Sequence, residues 1–175
     1  MTKRLWIMLL AALMTVGLTA GAHADEHEAA DGERQLTPWG KASVGDMVKY
    51  KTMGDMLQTL TVKKIGDETV HIEMVMEVND REMPAQMMEM PRYAKPGEDE
   101  TPEGVEVEEL GTETVAIGDE KVTCEVRKMT MTQDGRTITS KTWTSDDVPG
   151  ATVKTASDAM GEMTVMMQVV AFKKK

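Results

Sequence analysis

Cysteine is nearly absent from this chain. Cys124 is the single one in 175 residues, so no disulfide can form within the chain. Aromatic residues are almost as scarce, with three Trp, two Tyr and one Phe, so Val, Leu, Ile and Met must fill most of any core. Histidine is limited to His23, His27 and His71, a poor supply for a catalytic relay. No apolar run reaches the roughly 20 residues that span a bilayer. No Gly-rich phosphate loop and no calcium-loop spacing occurs. Basic residues number 20 against 30 acidic ones, and no basic patch carries interleaved aromatics. Nucleic acid and anionic membrane surfaces are therefore excluded as partners.

The first feature present is a leader. Lys3 and Arg4 precede an apolar run from Leu5 to about Ala20, which ends in Ala22-His23-Ala24. A basic start, a short apolar stretch and small residues at a junction are the pattern of a secretory signal peptide, here residues 1–24 with cleavage after Ala24. A periplasmic or secreted protein is expected, with no transmembrane segment left after cleavage. No Cys lies near the junction, so lipid attachment there is not supported. Taking Lys3 and Arg4 from the basic count leaves 18 against 30, a net charge of −12. Residues 25–38 are acidic and without periodicity, and they read as a disordered lead-in.

From residue 39 to 175 the pattern is that of a single β domain. Strands are expected at Met47–Lys51, Leu57–Ile65 and Val70–Val78, with Gly66-Asp67 and Asn79-Asp80 as turns. In the third of these, Val70, Ile72, Met74, Met76 and Val78 alternate with polar residues, which defines a face for burial. Residues 81–93 are interrupted by Pro84 and Pro91 and read as an irregular edge strand in preference to a short helix. About 93–109 is rich in Pro, Gly and Glu and reads as a long acidic loop. Further strands follow at Glu113–Ile117, Lys121–Thr132, Arg136–Thr144, Ala151–Ala156 and Met163–Phe172, and Lys173–Lys175 reads as a solvated tail. About nine strands with short connections imply an all-β antiparallel meander, curved or curled into a partial barrel. Val122, Cys124 and Val126 share a strand face, which makes Cys124 a buried, inert thiol.

The Gly45–Tyr50 opening, the Gly118–Cys124 hairpin and the segment Trp143-Thr144-Ser145-Asp146-Asp147-Val148-Pro149-Gly150 resemble small exported bacterial β-proteins of unknown function. More remotely, the meander resembles the periplasmic lipoprotein-carrier (Lol-type) superfamily. That resemblance implies an open, strongly curved sheet whose concave face holds lipid chains. It carries over no functional residue.

Methionine is the compositional excess. Of 18 Met, three leave with the leader, so 15 remain beyond residue 24, where Phe172 is the one Phe. Two chemistries fit. Thioethers make an adaptable apolar surface, and they are also soft ligands that select Cu(I). Met87-Met88-x-Met90, Met129-x-Met131 and Met163-x-x-Met166-Met167 bring them close in sequence. A second metal site is expected at the new N-terminus: Asp25-Glu26-His27 offers an amine, two backbone amides and an imidazole in one plane, the square-planar set that suits Cu(II) or Ni(II). Trp143 and Asp146, with Met129 and Met131, are the candidates for a ligand-facing surface. Packing is the preferred account of Met on strands and of Trp143, with Asp146-Asp147 starting a turn. No nucleophile–base pair is evident, so an enzyme is not expected. The leading expectation is an exported binding protein holding an apolar small molecule or lipid on a curved Met-rich sheet, without a cofactor. The alternatives are copper binding or sequestration, and an accessory envelope protein without a small ligand.

Overall fold

Polar turn residues recur between short alternating segments, so the backbone satisfies its N–H and C=O groups most simply by antiparallel pairing of neighbours. The computed structural model describes residues 34–95, 101, 104–133, 135–159 and 161–175, and these form strands and no helix. The strands are β1 (Met47–Thr52), β2 (Leu57–Ile65), β3 (Thr69–Val78), β4 (Arg81–Glu82), β5 (Gln86–Pro91), β6 (Val105–Ile117), β7 (Glu120–Gln133), β8 (Arg136–Thr144), β9 (Thr152–Ser157) and β10 (Thr164–Lys173). They build one antiparallel sheet in the order β4-β3-β2-β1-β10-β9-β8-β7-β6, with β5 also paired to β3. Two meanders thus meet at the centre, where β1 pairs with β10.

The sheet curls without closing into a barrel, and its connectivity explains why. The chain passes directly from β5 on one edge to β6 on the other. Laid flat, eight inter-strand gaps span about 38 Å. The register also displaces the end of β5 from the start of β6 by about 40 Å along the strands, giving a diagonal near 55 Å. Fourteen residue steps from Pro91 to Val105 reach at most about 50 Å. Curvature brings the edges within reach, and bulges in β1–β10, β2–β3, β6–β7, β8–β9 and β9–β10 supply the local bends.

In the first meander, cross-strand pairs stack into an apolar face. Val48 lies opposite Leu60, Leu60 opposite Met74, Val62 opposite Ile72, Ile72 opposite Met88, and Val70 opposite Met90. The reverse face carries the ion pairs Lys49–Glu77 and Lys63–Glu73, and there His71 Nδ1 lies 3.5 Å from Glu89 Oε1. In the second meander Val115 faces Val122, and Val126 faces Trp143. Cys124 is fully buried, as its alternation with Val122 and Val126 predicts. Burial raises its thiol pKa, with the Glu113 and Asp147 carboxylates adding to the effect. The predicted β3 face is buried at Val70 and Ile72, half-buried at Met74 and Met76, and exposed at Val78, which pairs with Arg81 at the turn tip.

Four expectations change. Among the described residues the strands number ten, because residues 81–93 form an edge strand split at Pro84-Ala85 into β4 and β5. The acidic loop is shorter than 93–109, because β6 already starts at Val105. Glu108 and Glu109 stay in the strand since Lys128 and Arg127 on β7 pair with them. The end of the lead-in is docked: Leu36 bridges Tyr93, Arg34 forks onto Glu68 and lies over the Tyr93 ring, and Thr37 N–H donates to Arg92 O at 2.9 Å. The terminal lysines are held as well. Lys175 N–H donates to Asp46 Oδ1 at 2.8 Å, and Lys174 Nζ to Asp146 O at 2.6 Å.

Candidate functional site

Successive connections alternate between two rims of the sheet, and the rims differ in composition. One rim gathers the start of β1, the β8–β9 connection and the end of β10. It is densely packed. Trp39 sits on Gly150, where a Cβ would come within 2.5 Å of the indole and where φ is +77°, so only glycine fits. Pro149, Gly150 and Ala151 are buried beneath it. The corner closes through Ser145 N–H to Ala151 O at 2.8 Å and Ala151 N–H to Val148 O at 2.8 Å. Asp46, 1% exposed, accepts Ser43 N–H and Lys175 N–H at 2.8 Å each. A recess of about 20 Å³ between Pro38, Asp46, Val148 and Lys174 has room for about one water.

Trp143 and Asp146 belong to this packed rim, and Asp146 is one of the residues lining its recess. Trp143 is buried. Its Nε1–H donates to Glu113 Oε2 at 2.7 Å, and the Lys154 ammonium lies 4.5 Å from the ring centroid. Asp146 turns the corner and pairs with Lys41 at 3.2 Å. Trp143 thus fills core while Asp146, exposed at the corner, borders the small recess.

The opposite rim is built from methionine. The β1–β2 turn brings Met53 and Met56, the end of β3 brings Met76, and the connection from β4 to β5 brings Met83. The end of β7 carries Met129 and Met131, the approach to β10 carries Met163, and the start of β10 itself carries Met166 and Met167. The backbone ties several of these together: Met53 N–H donates to Met166 O at 3.1 Å, Met83 N–H to Met76 O at 2.7 Å, and Thr52 N–H to Met56 O at 2.9 Å. Thr52 also pairs across the sheet with Met167. Met129 lies between Val107 and Ser140, and Met131 between Val105 and Ile138. Exposed apolar side chains concentrate here, among them Met53, Val78, Met83, Met131, Met163 and Val165. At the β1–β2 turn Lys51 pairs with Asp55 at 2.6 Å, a contact that holds the Asp55 carboxyl below its ordinary range. A shallow groove of about 260 Å³ runs beside it, lined by Lys51, Thr52, Val165, Gln168 and Val170. The geometry offers an open apolar surface in place of an enclosed chamber.

The methionine runs separate in space. Met88 and Met90 pack against the core, while Met87 points to the other face and is exposed, because adjacent strand residues alternate. Met167 also packs on the core, and Met163 is exposed. Among the described residues no three His, Cys, Asp or Glu side chains converge. Asp25, Glu26 and His27 lie outside the described residues. Sequence reasoning missed Met53, Met56 and Met83 as members of the rim. The available signal was a pair of methionines flanking the Gly54-Asp55 turn, where polar residues are the rule. It also missed Asp46, Glu113 and Lys154, whose roles depend on contacts distant in sequence.

No helix among the described residues is long and apolar enough to cross a membrane. No family model matches the chain, and no curated protein matches it. Among solved structures, the chain is similar to a Bacteroides fragilis protein described as "a putative exported protein with YmcC-like fold", with 10% identity, a TM-score of 0.47, and coverage of 81% of this chain and all of the other.

Proposed function

We propose that this chain is an exported, non-catalytic binding protein that holds an apolar or amphipathic molecule, such as a lipid acyl chain, across its methionine rim. One observation carries the reading: methionines remote in sequence collect at one rim, several of them exposed, while the opposite rim holds Trp39 and Trp143. Soluble domains seldom leave apolar side chains exposed together unless something covers them. Unbranched thioether side chains repack around ligands of varied shape, as an acyl chain requires. The leader and the acidity suit a soluble protein working outside the cytoplasm.

The test has two arms. Native mass spectrometry of the mature protein purified from its own cell envelope should show a bound lipid-like mass. A fluorescent acyl-chain probe should bind the stripped protein, and Met131→Glu with Met163→Glu should weaken it roughly tenfold, since each places a carboxylate on apolar surface. Probe binding unaffected by both substitutions would sink the reading. A copper ion in place of an apolar mass would replace it with metal sequestration.

A further inference from the structure

The exposed methionines of the rim have a chemistry that a surface of Leu or Val would lack. Their thioethers can be oxidised, and the fold sorts them sharply. Met53, Met83, Met131 and Met163 are 38%, 45%, 40% and 45% exposed. Met74, Met88, Met90 and Met167 are partly buried and packed against the core. Oxidation rate follows access of the oxidant to sulfur, so four of the rim's methionines stand apart from its half-buried ones, and among the other described methionines Met87 on β5 is exposed as well.

We propose that Met53, Met83, Met131 and Met163 form a selective oxidation site, and that their conversion to sulfoxide releases the apolar ligand. This rests on the rim being the ligand surface. The oxidant class is a hydroperoxide, with hydrogen peroxide the simplest. The thioether sulfur attacks the distal oxygen, the O–O bond breaks, an S–O bond forms, and water leaves after proton transfer. Sulfur loses two electrons and the peroxide gains them. Each event turns a flexible apolar side chain into a polar, hydrogen-bonding one. The fold tolerates the change for a structural reason. None of the four belongs to the buried core, so the sulfoxides meet water without opening the packed rim around Trp39 and Trp143. Lone Cys124 is fully buried and its thiol pKa is raised, so the thioethers react first. A methionine sulfoxide reductase would reverse the step.

The experiment treats the mature, folded protein with graded hydrogen peroxide. It then maps oxidation by peptide mass spectrometry and measures binding of a fluorescent acyl-chain probe on the same samples. The four rim positions should oxidise at least about tenfold faster than Met74, Met88, Met90 and Met167. Probe affinity should fall roughly tenfold as they do, with the far-ultraviolet circular dichroism unchanged. The quadruple variant Met53→Leu, Met83→Leu, Met131→Leu, Met163→Leu should bind the probe and keep it through the same treatment. Uniform oxidation across the methionines overturns the site, and selective oxidation with unchanged probe affinity overturns the release. A reduced protein that never binds the probe sinks the ligand reading and the release with it, while the oxidation map still decides the site.

Discussion

Replacing Asp46 with Ala should be among the most damaging single changes outside the apolar core. The side chain is 1% exposed and accepts two backbone N–H groups, from Ser43 and from Lys175. Its own backbone is fixed between β1 and β2, with Val62 N–H donating to Asp46 O at 2.9 Å. In Asp46→Ala the Ser43 N–H, part-buried in its turn, loses its acceptor, at about 1–3 kcal/mol for an unsatisfied donor. Lys175 can swing into water, so its loss amounts to about 1 kcal/mol or less. The sum is about 1–4 kcal/mol, or about 2–16 °C in Tm for a domain of this size. Urea and thermal unfolding of the mature protein measure it. Lys175→Pro removes only the second donor and should cost about 1 kcal/mol. Added to Asp46→Ala, it should cost almost nothing more, because the two share one interaction. A loss below about 0.5 kcal/mol for Asp46→Ala, or full additivity of the pair, would refute the arrangement described for this corner.

Other outcomes follow from single contacts. Ile72→Ala, at a fully buried position between Val62 and Met88, should lose about 2–5 kcal/mol in the same unfolding assay. Gly150→Ala sets a methyl against the Trp39 indole at positive φ. It should destabilise by about 1–3 kcal/mol and shift Trp fluorescence toward the exposed value. Burial pushes the Tyr50 hydroxyl pKa upward, and that hydroxyl donates to Thr152 O at 3.1 Å. Above about pH 10 the unfolded chain releases this proton while the folded one keeps it. Stability from Tyr50 is thus complete below that pH and lost as pH rises through the folded value. Tyr50→Phe should flatten the alkaline arm of a stability–pH curve. Cys124 should react with a thiol reagent at neutral pH only as fast as the protein opens.

Much of the architecture could be read from alternation. Val70, Ile72 and Val122, Cys124, Val126 declared their buried faces because a strand has period two and the face is repeated several times over. The start of β6 could not be read this way. Glu106, Glu108 and Glu109 look like a solvated run until Lys128 and Arg127 are known to stand opposite, and register across a hairpin is not a local property. Trp143 was ambiguous for the same reason: its indole partner, Glu113, comes from a strand 30 residues earlier. The methionine rim was half legible. Sequence grouped methionines by adjacency, which strand alternation then split at Met87 and Met88. The true grouping follows from which turns share an end of the sheet, and that depends on the pairing of β1 with β10.

That central pairing also orders events in time. Met47 lies opposite Lys173, so the contact joining the two meanders is among the most distant in the chain. A polypeptide emerging amino end first can pair β1 with β2 and β3 at once, yet the other side of β1 waits for almost everything else to arrive. During that interval β1 is a raw edge, with Val48 and Tyr50 uncovered and half its backbone unpaired. Closing so long a loop is slow, and exposed edges recruit wrong partners. Of the described strands, the last to emerge is therefore the one that seals the middle of the sheet. Changes that weaken β10 should appear first as aggregation during folding, before any loss is seen in the finished protein.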